Sequence, residues 1–224
     1  RADQLEVVEI DLGQRQDDDV VNADNPINSS ANAAGGGVRF GMQLSGGLSP
    51  ALGLGEKVGM GYGGSLSFEM QVTDYLTVAL TVANTFYPGK EEYYGVLGAN
   101  GIFREKLHKV MFQTYGVEAK VYPVSWLYLK LAGGYNTFGI SYIYNFKDNR
   151  SWDETIDFSA SAINLEAGLG ASIPLIPGLG LRLYAGYNYL MEFDVPTSAR
   201  GLNVRTNKYN FSSLSTSLGF AYAF

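Results

Sequence analysis

An all-β fold, an eight-stranded antiparallel up-and-down transmembrane β-barrel, is what this sequence predicts, and three observations carry it. Apolar and polar residues alternate with a period of two over eight segments between residues 37 and 224. Where the parity is clear, the charges in those segments share a face with Gly, Ser, Thr and Asn, and the opposite face carries none within the proposed span. The connections between the segments alternate short and long.

The first predicted strand (37–48) sets Val38, Phe40, Met42 and Leu44 against Arg39, Gly41, Gln43 and Ser45. The second (58–72) sets Met60, Tyr62, Leu66, Phe68, Met70 and Val72 against Gly61, Gly63, Ser65, Ser67, Glu69 and Gln71. The third (75–87) alternates Leu76, Val78, Leu80 and Val82 with Thr77, Ala79, Thr81 and Ala83. In the fourth (109–122), Met111, Tyr115, Val117, Ala119 and Val121 oppose Thr114, Gly116, Glu118 and Lys120. The fifth (126–144) sets Leu127, Leu129, Leu131 and Tyr135 against Tyr128, Lys130, Ala132, Gly134 and Asn136; its parity falters near Thr137, where a bulge is expected. The sixth (158–173) sets Ile163, Leu165, Leu169 and Ile173 against Asn164, Glu166, Gly168, Gly170 and Ser172. The seventh (180–193) sets Leu181, Leu183, Ala185, Tyr187 and Tyr189 against Arg182, Tyr184, Gly186 and Asn188. The eighth (210–224) sets Leu214, Leu218, Phe220, Tyr222 and Phe224 against Ser215, Ser217, Gly219, Ala221 and Ala223. About 9–11 residues cross a bilayer as a tilted strand, and each segment reaches that length.

The charge placement selects a membrane. Arg39, Glu69, Glu118, Lys120, Lys130, Glu166 and Arg182 all fall on the small-polar face. A charge on the other face at the bilayer midplane costs roughly 2–4 kcal/mol. A soluble barrel needs the reverse, a wet exterior around an apolar interior. An eight-stranded barrel is just wide enough for its side chains to fill, so these seven residues are expected to form a paired polar network in the lumen. That network reads either as a plug or as a gate on a narrow polar path.

The short connections are Thr73-Asp74, the corner at 123–125, and 174–179 with two prolines; the long ones are 49–57, 88–108, 145–157 and 194–209. Short periplasmic turns and long external loops place such a barrel in a bacterial outer membrane with both termini periplasmic. Aromatics gather at predicted strand ends. Tyr75, Tyr122, Trp126, Tyr222 and Phe224 are expected at the periplasmic interface, and Phe86, Tyr87, Tyr142, Tyr144, Phe158, Tyr189 and Phe193 at the outer one.

Composition agrees. In 224 residues there are 28 Gly and 13% aromatics but no Cys, which excludes disulfides and thiolate metal sites. No run of 18 apolar residues offers a transmembrane helix. Residues 1–36 form a separate unit: an acidic, flexible periplasmic extension before the barrel of 37–224. They hold eight acids against Arg1 and Arg15, so the whole formal net charge of -6 lies there. A neutral body with an acidic tail argues against nucleic acid. Within the tail, Leu5, Val7, Val8 and Ile10 are a candidate contact for a protein partner or for the barrel mouth. The chain starts at Arg1 without a charged n-region or apolar h-region, as a mature exported protein does.

The chain ends Gly219-Phe220-Ala221-Tyr222-Ala223-Phe224. Gly219, Tyr222 and the final Phe224 resemble the signal that the outer-membrane barrel-assembly machinery recognises on its substrates. Residues 37–224 as a whole resemble the small eight-stranded outer-membrane barrels typified by the OmpA transmembrane domain, OmpX and OmpW. That resemblance implies salt-bridge networks in the lumen and partners that include outer-membrane lipid and lipopolysaccharide.

Three functions compete. The leading one is non-enzymatic: a structural or interaction role through the external loops or the periplasmic tail. The second is a narrow channel or uptake path for small or apolar solutes. The third is a lipid-modifying enzyme, but the single histidine, His108, lies at the edge of the longest predicted loop beside Lys106 and Lys109, with no Ser or Asp spacing that suggests acyl transfer. With one His and no Cys, no metal site or other cofactor is predicted. Many inward positions are small, among them Gly59, Gly61, Gly63, Ala79, Gly168, Gly170 and Ala221, and leave space for water or the tail unless the inward tyrosines fill it.

Overall fold

The computed structural model describes residues 38–52, 58–90, 94–98, 101–146, 153–195 and 207–224. The 1–36 extension, with Leu5, Val7, Val8 and Ile10, lies outside the described residues. Nine strands follow in order: β1 (Arg39–Leu52), β2 (Met60–Thr73), β3 (Leu76–Pro88), β4 (Tyr94–Gly98), β5 (Gly101–Val124), β6 (Leu127–Phe146), β7 (Asp153–Ile176), β8 (Leu179–Val195) and β9 (Asn207–Ala223). Eight of them close a barrel of antiparallel neighbours, with β3 paired to β5 and β1 to β9. The ninth, β4, pairs among the described residues only with β5, as a hairpin closed at Gly98↔Gly101. It falls inside the stretch expected as the 88–108 loop, so that loop is largely strand. The expected loop at 145–157 likewise shrinks, because β6 runs to Phe146 and β7 starts at Asp153.

The short-turn end is tight. Pro177-Gly178 joins β7 to β8, and Gly178 sits at φ 80°, the left-handed value that position i+2 of a type II turn requires. The chain's end is tied on both flanks: the Ala223 N–H donates to the Gly178 carbonyl (2.8 Å) and the Phe224 N–H to the Phe40 carbonyl (3.0 Å).

The outward face divides into two zones. Towards the short-turn end it is apolar and exposed: Leu44, Leu80 and Leu131 are 65%, 64% and 63% accessible, and Val117, Leu165 and Leu218 are exposed beside them. Water tolerates no contiguous apolar surface of that extent, so this belt faces lipid. Trp126, Tyr75, Tyr222 and Phe224 are exposed at its short-turn edge. The row Val82–Tyr115–Tyr135–Ile163 lies near its other edge. The next outward row is wholly polar: Asn84, Gln113, Thr137 and Ser161 pair in register across β3, β5, β6 and β7. The outward row above it still carries Met111, 51% exposed, beside Gly139 and Ser159, and one row further stand Lys109, buried Ser141 and Asp157, with the Ser141 hydroxyl donating to the Asp157 carboxylate.

At that polar row the interior inverts as well. Below it the inward residues are charged or small and polar. Above it they are Val110, Phe112, Phe138 and Ile140, packed with Val58, Tyr87, Leu107, Leu190, Phe193 and Phe211 into one buried cluster. Three expectations fail here for one reason. β6 has no bulge at Thr137: its register against β7 is unbroken from Leu127↔Ala171 to Asn145↔Asp153. At Thr137 the apolar residues pass from the outward to the inward face, as a wall that runs from lipid into water requires. Tyr87 and Phe193 are therefore buried in the interior cluster and do not line an interface belt. Tyr122 is also inward, packed with Tyr128 and Tyr184 near the short-turn end. A real bulge sits in β5 between Leu107 and Lys109, so His108, expected at the edge of a loop, is an exposed residue within a strand. The expected interface residues Tyr142, Tyr144 and Phe158 have side chains outside the described set.

Tyrosine rings fill the room left by inward glycines. A Cβ at Gly61 would come within 2.7 Å of the Tyr87 ring, and one at Gly168 within 2.6 Å of the Tyr184 hydroxyl. Tyr128 covers Gly170, its cross-strand partner, too closely for any Cβ there.

Two outcomes are expected. Leu131→Arg, in mid-belt, should destabilise the barrel by roughly 2–4 kcal/mol, measured by urea unfolding from lipid vesicles. Gly170→Ala should displace the Tyr128 ring and cost about 1–3 kcal/mol as overpacking, while Gly133→Ala, whose Cβ meets no atom closer than 3.6 Å, should cost less in the same assay.

Candidate functional site: the lumen between two closures

Parity and register together build the lumen site. Glu69 on β2, Glu118 and Lys120 on β5, Lys130 on β6, Glu166 on β7 and Arg182 on β8 all point inward and meet as one chain of alternating sign. Arg182 pairs with Glu69, and Glu69 with Lys120. Lys120 Nζ then lies 2.9 Å from Glu118 Oε1, Lys130 Nζ 3.3 Å from Glu118 Oε2, and Lys130 Nζ 3.0 Å from Glu166 Oε2. Three cations alternate with three carboxylates, so the chain is neutral. Gln43 Oε1 accepts from both Lys120 Nζ and Arg182 Nη1 at 2.8 Å, and the Ser215 hydroxyl donates to Glu166 Oε1 at 3.0 Å.

The chain crosses the barrel from β8 to β2 near the short-turn end, then rises through β5 and β6 to β7. Its lower members are sealed from solvent: the side chains of Arg182, Glu69 and Lys120 are 0%, 1% and 2% accessible. Tyrosine faces complete the closure. Lys130 Nζ lies 4.6 Å over the Tyr184 ring, and Lys120 and Arg182 stand 5.8 and 5.9 Å from the Tyr128 ring centre. Arg39, expected in the same network, is half-buried at the start of β1 opposite Gln71.

The second closure is the apolar cluster at the other end, which parity reasoning missed. Tyr87, Phe112 and Phe211 stack edge-on or tilted with centroids 5.0–5.6 Å apart, and Phe138 meets Phe193 at 4.4 Å. The Tyr87 hydroxyl is 2.6 Å from the Ser49 hydroxyl, which ties the cluster to β1. Extending the inward parity of the fourth and fifth strands past Gln113 and Thr137 would have shown Phe112, Phe138 and Ile140 facing in. Between the two closures lies a cavity of about 160 Å³, walled by Ser45, Ser67, Asn136, Asn164, Asn188 and Ser215.

Its chemistry is that of a polar chamber. The three lumen carboxylates are committed to cations. Among the described residues no group of three or more His, Cys, Asp and Glu could hold a metal ion. His108 is exposed on the outside of β5, not in the lumen. Of the terminal trio, Gly219 is inward and crowded by the Leu44 carbonyl, while Tyr222 and Phe224 face lipid with ring centres 6.4 Å apart.

Known structures share this architecture. A major outer membrane protein from Thermus thermophilus superposes with a TM-score of 0.55 at 18% identity, covering 84% of this chain and 99% of the other. The chain has the fold of the small eight-stranded outer-membrane β-barrels. The attachment invasion locus protein Ail of Yersinia pestis gives 0.50 at 13% identity, covering 83% and 98%. No family model matches the barrel's sequence, and no curated protein sequence matches it. At these identities the likeness is one of fold.

The ion chain yields a stability prediction. Arg182→Met should cost about 3–5 kcal/mol, because it leaves the buried Glu69 carboxylate with less compensation. Adding Glu69→Gln should recover part of that loss, and a double-mutant cycle in urea reads the coupling. Purely additive losses would mean that the two side chains do not act as a pair.

Proposed function

We propose that this barrel is a non-enzymatic interaction protein of the outer membrane, whose working surface is the crown of strands beyond the lipid belt. One observation carries the reading: β5, β6 and β7 continue past the polar row Gln113–Thr137–Ser161 to Gly101, Phe146 and Asp153, while an ion chain and an apolar cluster cross the lumen at two levels. Strand pairing that outlasts the membrane builds a rigid platform, which suits partner binding better than solvated loops do. In this reading the short turns and both termini are periplasmic and the crown is external, in contact with lipopolysaccharide. The Gly219, Tyr222 and Phe224 end serves the assembly machinery, and residues 1–36 engage a periplasmic protein through Leu5, Val7, Val8 and Ile10.

Two measurements test it. Reconstituted in planar bilayers, the intact protein should give no current steps; a steady open pore would sink the closed-lumen reading in favour of transport. A crown-trimmed variant, with two-residue turns joining Pro88 to Lys109 and Ser141 to Asp157, should still fold and stay closed. It should lose the external partners that the intact protein retains from envelope or host-surface extracts. Equal retention by both forms would remove the crown from the function.

A further inference from the structure

Register places part of the polar row inside the apolar belt. Asn84 on β3 pairs with Gly64 on β2 and with Gln113 on β5, so the three stand side by side, outward and exposed. One outward row below them are Leu66, Val82 and Tyr115, and one row above are Tyr62, Phe86 and Met111. Beyond Gly64 the same row continues to Gly46 on β1. The result is a patch with two amides at its centre, an apolar rim, and two bare glycines on one flank.

The far side of the belt is different. Across β7, β8 and β9 the outward residues include Leu165, Leu169, Leu183, Leu214 and Leu218, which suit lipid chains. Thr216, a polar residue among them, donates its hydroxyl to the Leu48 carbonyl at 3.2 Å and asks nothing of its surroundings. The amides of Asn84 and Gln113 ask more. Each has two N–H donors and two acceptor lone pairs, and two such groups side by side satisfy only part of that set in each other. Lipid ester carbonyls accept but do not donate, whereas another amide does both. The rim also has the character of a protein contact. Met111 and Tyr115 are 51% and 47% exposed, and the Tyr62 and Phe86 rings lie tilted with centres 5.1 Å apart. Aromatic and Met side chains are enriched where proteins meet.

We propose that this patch is the contact between two copies of the chain in the membrane, packed about a two-fold axis that runs along the membrane normal and passes by Asn84. Copies in one membrane share an up direction, so such an axis keeps heights and exchanges flanks. Asn84 then meets Asn84 of the other copy, each amide donating to and accepting from its twin. Hydrogen bonds between polar side chains hold membrane segments together in this way. The exchange of flanks carries Tyr115, on the β5 side of one copy, over the β2–β1 side of the other, where Gly64 and Gly46 leave room for its ring. No part of the crown takes part, so the contact stands or falls apart from the crown reading.

The test uses the full chain in lipid vesicles, and its lack of Cys gives a clean background for single cysteines. Asn84→Cys should form a disulfide-linked dimer that persists as the vesicles are diluted with lipid. Leu183→Cys, on β8 four strands away around the barrel, should fall to the level of random collision. Affinity is read from energy transfer between dyes on Asp74→Cys, in an exposed short turn. Asn84→Leu and Gly46→Leu both place a lipid-suited side chain outward, and a Cβ at Gly46 meets no atom closer than 3.7 Å, so both should fold. Each should weaken association by about tenfold. Asn84→Gln, which keeps the amide, should weaken it less. Energy transfer no higher than random collision overturns the proposal. Unchanged association of Asn84→Leu also overturns it and leaves the amide to lipid headgroups. Equal cross-linking at positions 84 and 183 overturns it too, because the copies then meet through no fixed face.

Discussion

Everything in this structure depends on which solvent touches the outside of the barrel wall. A closed strand ring has two faces and no edge to hide, so each row of side chains must suit lipid or water on one side and the lumen on the other. Below the row Asn84–Gln113–Thr137–Ser161 the exterior is Leu, Val and Phe, and the polar residues go inward. Above it the exterior takes Lys109 and Asp157, and Phe112, Phe138 and Ile140 go inward. One set of continuous strands is thus a membrane barrel for part of its length and an ordinary water-soluble one beyond, with no break in the hydrogen-bond ladder between β6 and β7.

The lumen chemistry follows from that inversion. Forced to put polar residues inside a narrow ring, the membrane section must neutralise the charges it places there. It does so by alternation: Arg182, Glu69, Lys120, Glu118, Lys130 and Glu166 each meet opposite charge, and Gln43 and Ser215 take up further bonds. Steric filling comes from a different source. Tyr128 and Tyr184 lie across Gly170 and Gly168, so the small inward residues that suggest an empty lumen are the sockets for aromatic rings. Water outside the crown permits an apolar core there, and that core supplies the second closure.

Much of this was legible in the sequence, and the part that was not has a physical cause. A period of two needs no structure to be read, so the strand faces from Val38 to Phe224 and the inward side of Glu69 or Arg182 follow from counting. Pairing across the lumen does not: Glu69 and Arg182 lie 113 residues apart and meet only because β2 and β8 face each other at one height. At Thr137 a move of the apolar residues to the opposite face looks in sequence like a slip of register, and assuming the same surroundings to the strand's end makes it a bulge. Tyr87 and Phe193 were misplaced by the same assumption, since an aromatic near a strand end suits either an interface or a soluble core. The stretch 101–108 reads as loop because Arg104, Glu105 and Lys106 are consecutive and give no period of two; pairing with β4 and β6 makes it strand.

That misreading bears on function. Loops can vary freely, but paired strands fix where backbone groups point, and continuing three of them past the bilayer orders residues that the lipid belt does not need. If the barrel's task lay within the bilayer, β5–β7 could turn back at the polar row, as β3 and β8 do within a few residues of it. The added length instead holds a sheet above the membrane with edges on β4 and β7. One set of strands thus builds two structures: a wall with an apolar outside and a charged inside, and beyond it a sheet with a polar outside and an apolar inside.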